Sequence, residues 1–304
     1  MVVINTYKGH EIIYTNEKFT TMGLDYVSEK DCLNAIDLAM KEQETKEKIE
    51  KEQKEKERLT NGFRIVLAEP SYLVQPIKNM KELMNEVKMK ITPEKLTITS
   101  MDPANVTMVV YELLSESAVE WKCEEADVYV NLSNFYSVLK NCEKNDILVF
   151  ERATGKKNVI LSFKGAITKE FTIPFLDLEE REIKIPKLKF SSKTIMRTSD
   201  FKKVVTFANE VAKSIKIETW DAKILFSAKD DESEFNCSIL DSKEVGTLGE
   251  STSKYSIEYL KRFPLTSIEM IQLEGGKDYP LKVYMRQIDR FSLTYFLAPR
   301  VDNE

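Results

Sequence analysis

From Phe63 onward the chain repeats its own pattern of apolar residues, and this internal repeat limits the folds open to it. A shift of 128 residues places Leu73 and Ile77 on Phe201 and Val205, all at the spacing of one helix face. The same shift superimposes alternating positions that predict paired strands: Val87, Met89, Leu96 and Ile98 fall on Ile215, Ile217, Ile224 and Phe226. Two structurally similar units are therefore expected.

The repeat predicts two β-rich domains of the α+β class. Each unit has the order strand, helix, hairpin, strand, strand, helix and three further strands. A shift nearer 121 residues aligns the second halves, since it carries Leu139 onto Leu260. The last three strands are expected at 146–151, 158–163 and 169–175, and again at 267–273, 281–285 and 291–297. We therefore expect domains at 63–175 and 189–304, joined by an extended connector at 176–188 in which Pro186 disfavours helix at Ile185.

Residues 1–60 lie outside the repeat and predict a small ββα-like extension. Strands at 7–14 and 18–22 flank a turn, and residues 28–31 resemble a capping box before an apolar helical stripe. The stripe ends near Met40. Seven basic and seven acidic residues are then interspersed between 41 and 58, a pattern typical either of a solvated helix held by charge pairs or of a flexible linker.

Composition argues against several classes of protein. With 42% hydrophobic residues over 304 positions the chain can build folded cores, and no apolar run reaches the roughly 18 residues of a membrane span. We expect no secretory signal at the N-terminus. Four scattered cysteines form no C-x-x-C pair, and a single histidine, His10, argues against a histidine-based catalytic or metal centre. The net charge of −5 fits a DNA-binding role only if positive charge is concentrated on one surface.

Four stretches, in order along the chain, carry a family resemblance. Residues 91–106 hold a tight turn and end in MDPANV, 176–188 are the acidic connector, 255–260 are YSIEYL, and 295–301 are YFLAPRV. They resemble the first hairpin with its MDPSHV loop, the interdomain connecting loop, the last helix and the YLAP(K/R)I ending of the proliferating cell nuclear antigen family. The resemblance to these archaeal and eukaryotic sliding clamps covers 63–304.

The resemblance implies a non-enzymatic, cofactor-free clamp fold that assembles as a homotrimeric ring around duplex DNA, with strands outside and helices lining the hole. Implied partners are DNA polymerase, other replication and repair proteins that carry a short interacting peptide, and an ATP-driven clamp loader. The expected location is the nucleoid or cytoplasm of an archaeal or virus-infected cell, or a eukaryotic nucleus. The alternatives are a subunit of a heterotrimeric, checkpoint-type clamp, a monomeric clamp-fold processivity factor, and an enzyme, which the lack of a catalytic constellation disfavours.

The helices expected to line the hole, near 71–84, 132–141, 200–211 and 255–262, are locally basic within an acidic protein. The residues expected to face DNA are Lys78, Lys81, Lys140, Lys202, Lys203, Lys261 and Arg262. Such contacts go to phosphates and read no sequence. The simpler interpretation is that lysine is common on solvated helices. The first helix departs from the family, with Val74 and Gln75 where lysines are frequent and with Pro76 either in its first turn or bending it.

A second set of residues matches the pocket in which the family binds partner peptides. Its members are Met101, Val106, Ile183, Ile185, Pro186, Tyr279, Pro280, Phe296, Ala298, Pro299 and Val301. The implied ligand is a peptide of the type Q-x-x-aliphatic-x-x-aromatic-aromatic, whose anchors enter an apolar groove as one helical turn. An ordinary core role is the alternative, above all for Phe296. It is weaker for the two connector isoleucines, because a loop has little core to join.

The resemblance also implies that rings close by pairing of edge strands at 169–175 and 234–240. Both segments alternate apolar and polar residues, and the interface residues are expected to be Lys169, Phe171, Ile173, Phe175, Glu234, Phe235, Cys237 and Ile239. Unprotected edges of this kind are liabilities unless they pair.

Three aspartates invite a metal hypothesis, Asp102, Asp230 and Asp289. All three lie in expected turns, where aspartate is favoured by local hydrogen bonds, so we expect them to serve the turns and not a metal. The nine glycines include no phosphate-binding glycine motif.

Overall fold

The computed structural model describes residues 62–152, 157–176, 183–220, 223–240 and 246–300, the backbone of four strands between residues 2 and 26, and scattered helical positions between 33 and 48. The chain divides into two compact units, Met1–Thr60 and Asn61–Glu304. None of the described helices is both long and apolar enough to cross a lipid bilayer.

The N-terminal unit contains a four-stranded antiparallel sheet whose strands are neighbours in chain order. Its strands are β1 (Val2–Tyr7), β2 (His10–Thr15), β3 (Lys18–Thr21) and β4 (Leu24–Tyr26). The single strand predicted over 7–14 is wrong, because β1 ends at Tyr7 and β2 pairs back on it from His10. The described residues 43–46 and 48 are helical and exposed, which favours the solvated helix over the flexible linker there. The remainder of the charged stretch, from 49 to 58, lies outside the described residues.

The second unit repeats its order of elements, as the apolar pattern predicts. The first half contains β5 (Phe63–Leu67), α1 (Ser71–Met80), β6 (Glu86–Ile91), β7 (Lys95–Met101), β8 (Thr107–Leu114), a 3-10 turn (Ser115–Ser117), β9 (Glu120–Cys123), β10 (Ala126–Asn131), α2 (Leu132–Leu139), β11 (Ile147–Arg152), β12 (Asn158–Lys164) and β13 (Thr168–Pro174). The second half contains β14 (Ser192–Arg197), α3 (Thr198–Val211), β15 (Ser214–Trp220), β16 (Lys223–Lys229), β17 (Glu234–Leu240), β18 (Gly246–Gly249), β19 (Ser251–Ser256), α4 (Ile257–Leu260), β20 (Met270–Gly275), β21 (Leu281–Gln287) and β22 (Phe291–Leu297).

Three sheets organise this unit. A nine-stranded sheet has the order β10-β6-β7-β8-β22-β21-β20-β14-β18, a five-stranded sheet β13-β12-β11-β5-β9, and a four-stranded sheet β17-β16-β15-β19. The antiparallel pair β8 and β22 joins the two halves, and we call this pair the internal junction. In it Leu113 lies opposite Phe291 and Thr107 lies opposite Leu297. The helices cover the sheets through buried apolar faces, for example Leu73, Ile77 and Met80 of α1. Their opposite, polar faces are left to solvent.

Pro76 lies at the sixth position of α1, so the expectation that it sits in the first turn is wrong. A proline has no N–H, and its presence frees the carbonyl of Tyr72 four residues earlier. The hydroxyl of Tyr111 donates to that carbonyl at 2.7 Å. Tyr111 is fully buried, and burial raises the pKa of its phenol well above the usual value. The core therefore supplies the hydrogen bond that the proline removes.

Tertiary pairing moves several predicted boundaries. The helix expected at 255–262 is only the single turn α4, because Tyr255 and Ser256 pair with β15 at the end of β19. The short strands β9 and β18 have no counterpart in the sequence prediction. Helix α1 ends at Met80 and not at residue 84, since the amides of Leu83 and Met84 both bond back to the carbonyl of Met80 in a tight turn.

Candidate functional site

The predicted basic residues lie on or directly after the four helices, on the side away from the core. Lys78, Lys140, Lys202, Lys203 and Lys261 are exposed, whereas Lys81 and Arg262 are half-buried. These positions follow from helix geometry, because the buried face of each helix fixes which residues point outward.

Acidic neighbours divide the seven cations into two groups. Arg262 contacts Glu258 at 3.0 Å and Lys203 lies 3.5 Å from Asp200. Lys81 bonds Glu82, and this hydrogen bond is the main cause of the lowered pKa of Glu82. The other four cations form no ion pair within the described ranges; they are Lys78, Lys140, Lys202 and Lys261. Their charges are available to an external anion such as a DNA phosphate.

The turn between β7 and β8 is organised by one buried carboxylate. Asp102 is 4% exposed and accepts hydrogen bonds from the amides of Val106 and Thr107, both at 2.7 Å. The hydroxyl of Tyr259 donates to its other oxygen at 2.8 Å. Burial, with help from this carboxylate, raises the pKa of Tyr259 to about 12. The predicted turn role of Asp102 is thereby confirmed, and the carboxylate holds Val106 and its neighbours in a fixed arrangement.

The other two aspartates also lie in turns. Asp230 accepts from the amides of Glu232 at 3.0 Å and Ser233 at 2.6 Å. Asp289 adopts a left-handed conformation with φ of 56° in the turn between β21 and β22, a conformation that aspartate tolerates better than most residues.

Several predicted pocket residues converge beside the Asp102 turn. Met101 pairs with Met108, which on its other side pairs with Phe296. The amide of Ala298 donates to the carbonyl of Val106 at 2.9 Å, tying the strand that follows β22 to the turn. The four residues Met101, Val106, Phe296 and Ala298 are all half-buried, as groove-lining residues must be. Phe296 is thus not a fully buried core residue.

The connector residues occupy a different environment. Ile183 is half-buried, Ile185 is 50% exposed and Pro186 is exposed in a stretch without helix or strand. The end of this stretch is attached to the second half, since the amide of Lys189 donates to the hydroxyl of Tyr279 at 3.3 Å. Tyr279, Pro280 and Pro299 are half-buried. Val301 and residues 177–182 lie outside the described residues.

Both predicted interface strands are the outermost strands of their sheets. Within the described residues, β13 pairs only with β12, and β17 pairs only with β16. The apolar side chains of these two strands are only partly covered. On β13, Phe171 is half-buried, as is Phe175 just after the strand, while Ile173 is 7% exposed. On β17 the half-buried residues are Phe235, Cys237 and Ile239. Lys169 contacts Glu143 at 2.9 Å and Asp146 at 3.3 Å, and Glu234 is exposed. Each edge thus presents unpaired backbone next to apolar side chains.

Two exposed apolar residues beside these edges are missing from the sequence prediction. Ile167, in the turn before β13, is 70% exposed, and Phe207 of α3 is 51% exposed. The 128-residue shift aligns Phe207 with Asn79. Only the structure reveals that Asn79 contacts the other half, at Arg262, and that Phe207 lies beside Phe235 of the edge strand β17.

Comparison with known proteins gives a consistent result. The family model described as "Proliferating cell nuclear antigen, N-terminal domain" matches residues 63–186. A protein of Nanoarchaeum equitans named DNA polymerase sliding clamp is 25% identical over 251 residues, which are 79% of this chain and 100% of that protein. The protein of the same name from Pyrococcus furiosus is 25% identical over 248 residues, covering 79% of this chain and 99% of that one.

Solved structures show the same fold. The crystal structure of the proliferating cell nuclear antigen of Thermococcus kodakaraensis has a TM-score of 0.73 at 23% identity and covers 78% of this chain and 100% of that chain. That of Entamoeba histolytica has a TM-score of 0.74 at 16% identity, covering 79% and 99%. The predicted α+β clamp fold, with two similar β-rich halves, is therefore confirmed.

Proposed function

The chain belongs to the proliferating cell nuclear antigen family, and from this premise we propose that it is a DNA sliding clamp, a ring that tethers DNA polymerase and other replication and repair proteins to duplex DNA. The proposed domains are 63–175 and 189–304, with 176–188 as their connector. One observation supports the ring above all. The two halves are joined inside the chain by β8 and β22. The equivalent strands of the opposite halves, β17 and β13, are free edges among the residues that the structure describes.

The equivalence of these strands follows from their partners in the two hairpins. Leu96 of β7 pairs with Leu113 of β8. The 128-residue shift carries Leu96 onto Ile224 of β16, which pairs with Ile239 of β17. Leu113 and Ile239 therefore occupy the same place in the two halves, one inside a completed junction and one at an edge.

The same reasoning applies to the other strand. Val159 of β12 pairs with Ile173 of β13, just as Leu281 of β21 pairs with Leu297 of β22, and all four are buried. Ile173 is thus the equivalent of Leu297. Carrying the register of the internal junction over to the edges then predicts three cross-subunit pairs: Ile167 with Ile239, Lys169 with Cys237, and Phe171 with Phe235.

Pairing of this kind is head-to-tail, because each subunit offers β13 to one neighbour and β17 to the other. A heterologous interface closes into a ring when the repeated rotation returns to the first subunit, and otherwise gives an open filament. With two similar halves per chain, the family resemblance implies three chains and six similar domains. A closed ring holds DNA by topology and needs neither a catalytic residue nor a cofactor, only weak contacts from the helix cations to phosphates.

The convergence of Met101, Val106, Phe296 and Ala298 supports docking of partner peptides where β8 begins and β22 ends. The proposed ligand is the amphipathic single-turn peptide of polymerases and other partners, with the connector residues Ile183, Ile185 and Pro186 forming one wall. The proposed ring opener is an ATP-driven clamp loader.

A single cysteine tests the ring and its register together. Lys169→Cys creates a thiol opposite the native Cys237 of the next subunit, so mild oxidation should convert the chain into covalent trimers. Glu170→Cys, one residue along and on the other strand face, is the matched control and should form none. Trimers oxidised in the presence of circular plasmid should stay on the DNA through a high-salt wash and leave after the plasmid is linearised. Covalent trimers that wash off the circle, or no trimers at all, would contradict the proposal.

A further inference from the structure

Phe207 is a large aromatic residue with half of its surface in water. It is 51% exposed on the solvent-facing side of α3, and its ring centroid lies 6.3 Å from that of Phe235 on the edge strand β17. Leaving half of a ring of this size in water forgoes part of the stabilisation that full burial would give. The counterpart of Phe207 in the other half is in a different environment.

That counterpart is Asn79 of α1, which works at the internal junction. Its side-chain amide nitrogen lies 3.1 Å from the carbonyl oxygen of Arg262 and 3.3 Å from those of Phe263 and Pro264. These three carbonyls belong to the turn after α4, in the second half. The side chain of Asn79 thus hydrogen-bonds α1 of the first half to the turn after α4 of the second half.

The equivalent turn after α2 needs no such donor. A shift of 121 residues aligns Asn141 and Cys142 with Arg262 and Phe263. The carbonyl of Asn141 already accepts a hydrogen bond from Lys169 of the same chain at 2.9 Å, and Lys169 also bonds Glu143 at 2.9 Å. The carbonyl of Asn141, the equivalent of the Arg262 carbonyl, therefore already has a donor within its own chain, and the neighbouring Cys142 is half-buried.

The Cys142 thiol donates a weak hydrogen bond to the carbonyl of Glu143 at 3.7 Å and is uncharged at neutral pH. Burial raises the pKa of Cys142 to about 11, so the sulfur is a neutral S–H at neutral pH. A neutral thiol packs favourably against an aromatic ring.

We propose that Phe207 is an apolar anchor of the subunit interface and packs against Cys142 and the 141–143 turn of the next copy of this chain. This inference rests on the ring of the proposed function and adds a contact that the edge strands alone do not supply. It continues the β17 edge, because Phe207 and Phe235 are already in ring contact. At this helix position the internal junction has the hydrogen bonds of Asn79, whereas the proposed subunit interface has the apolar packing of Phe207. The turn that accepts Asn79 therefore does not suit Phe207, and the turn proposed for Phe207 does not suit Asn79.

The first test is proximity. Phe207→Cys in the otherwise native chain should form, on oxidation, a disulfide with Cys142 of the neighbour and give a covalent ladder up to trimer on a non-reducing gel. Adding Cys142→Ser should abolish the ladder. Asn209→Cys is the matched control, because Asn209 is exposed on the same helix but on the opposite side from Phe207. It should give no ladder. A ladder that survives Cys142→Ser would overturn the proposed contact.

The second test is energetic. Phe207→Ala should shift the dilution curve for ring dissociation, followed by light scattering, by roughly tenfold to thirtyfold, as expected for a central aromatic anchor. Asn209→Ala should leave the curve unchanged. If the parent chain forms trimers but Phe207→Ala dissociates like the parent, the anchor is wrong while the clamp proposal stands. If the parent chain is itself monomeric at every concentration, the clamp proposal fails first. An unchanged curve with weakened DNA retention would reassign Phe207 to the DNA-facing surface and overturn the inference.

Discussion

The internal junction and the free edges carry the same apolar pattern in two degrees of burial. On β8, Val109, Tyr111 and Leu113 are each 0% exposed beneath β22. Their equivalents on β17, Phe235, Cys237 and Ile239, alternate in the same way but are only half-buried. The difference arises from the presence or absence of a partner strand, since the side-chain pattern is alike. An edge that keeps a core-type pattern without a neighbour among the described residues supports the proposal that it pairs with another copy of this chain.

The largest effects should separate folding from assembly. Val109→Asp places a carboxylate in the completed junction, where an unpaired buried charge costs several kcal/mol, so this chain should lose its cooperative thermal unfolding transition. Phe235→Asp makes the equivalent change at the free edge and should leave the circular dichroism spectrum and the unfolding transition nearly intact while abolishing trimers. Asn236→Asp, exposed on the other face of β17, is the control and should still assemble. Equal unfolding by both aspartates would mean that the two sites do not differ as described.

Peptide binding should follow the junction and not the edge. The proposed groove lies where β8 begins and β22 ends, so the monomeric Phe235→Asp chain should bind a polymerase-type peptide as tightly as the parent. Ile185→Asp should weaken binding by roughly a hundredfold, because the carboxylate must be desolvated against apolar anchors. Lys184→Asp, an equally exposed neighbour, tests for a mere change of charge. Isothermal titration calorimetry gives the affinities, and an unaltered affinity for Ile185→Asp would remove the connector from the groove.

Much of this comparison was accessible from the sequence. The 128-residue shift predicted the paired helices and hairpins, and alternation located the strands that became β13 and β17. The ends of α4 and the strands β9 and β18 could not be predicted, because Tyr255 and Ser256 take their strand conformation from pairing with β15 and four-residue strands carry too little pattern. The place of Phe207 could not be predicted either, since it depends on which turn faces Asn79 in space.

Two equivalent turns should differ in their contribution to stability. Asp102 is buried and bonded to the amides of Val106 and Thr107 and to Tyr259, whereas Asp230 lies exposed in the corresponding turn. Asp102→Ala removes the acceptor of these three donors, of which the Thr107 amide is buried, and should lower the free energy of unfolding by about 2 to 4 kcal/mol. Asp230→Ala should cost about 0.5 to 1 kcal/mol. Urea denaturation measures both, and similar losses would contradict the structural role assigned to Asp102.

The smallest effects are expected where the two halves agree. Lys140 and Lys261 are aligned by the 121-residue shift, and both follow their helices as exposed cations that form no ion pair with another described residue. Replacing either with alanine should change stability by no more than about 0.5 kcal/mol. Each replacement should reduce the slope of log K against log salt for DNA by up to about 0.9 per lysine in contact with phosphate. Lys164→Ala, exposed at the end of β12, is the control. A slope that changes for one lysine and not for its equivalent would show that the halves approach DNA differently.

The proposed ring requires that β13 and β17, edge strands of the described sheets, meet between copies of this chain. Light scattering coupled to size exclusion, at micromolar concentration, measures the mass of the particle in solution. We expect three times the chain mass of 35.2 kDa for the parent chain and a folded monomer for Phe235→Asp. A parent chain that elutes as a folded monomer at the highest attainable concentration would contradict the proposed ring.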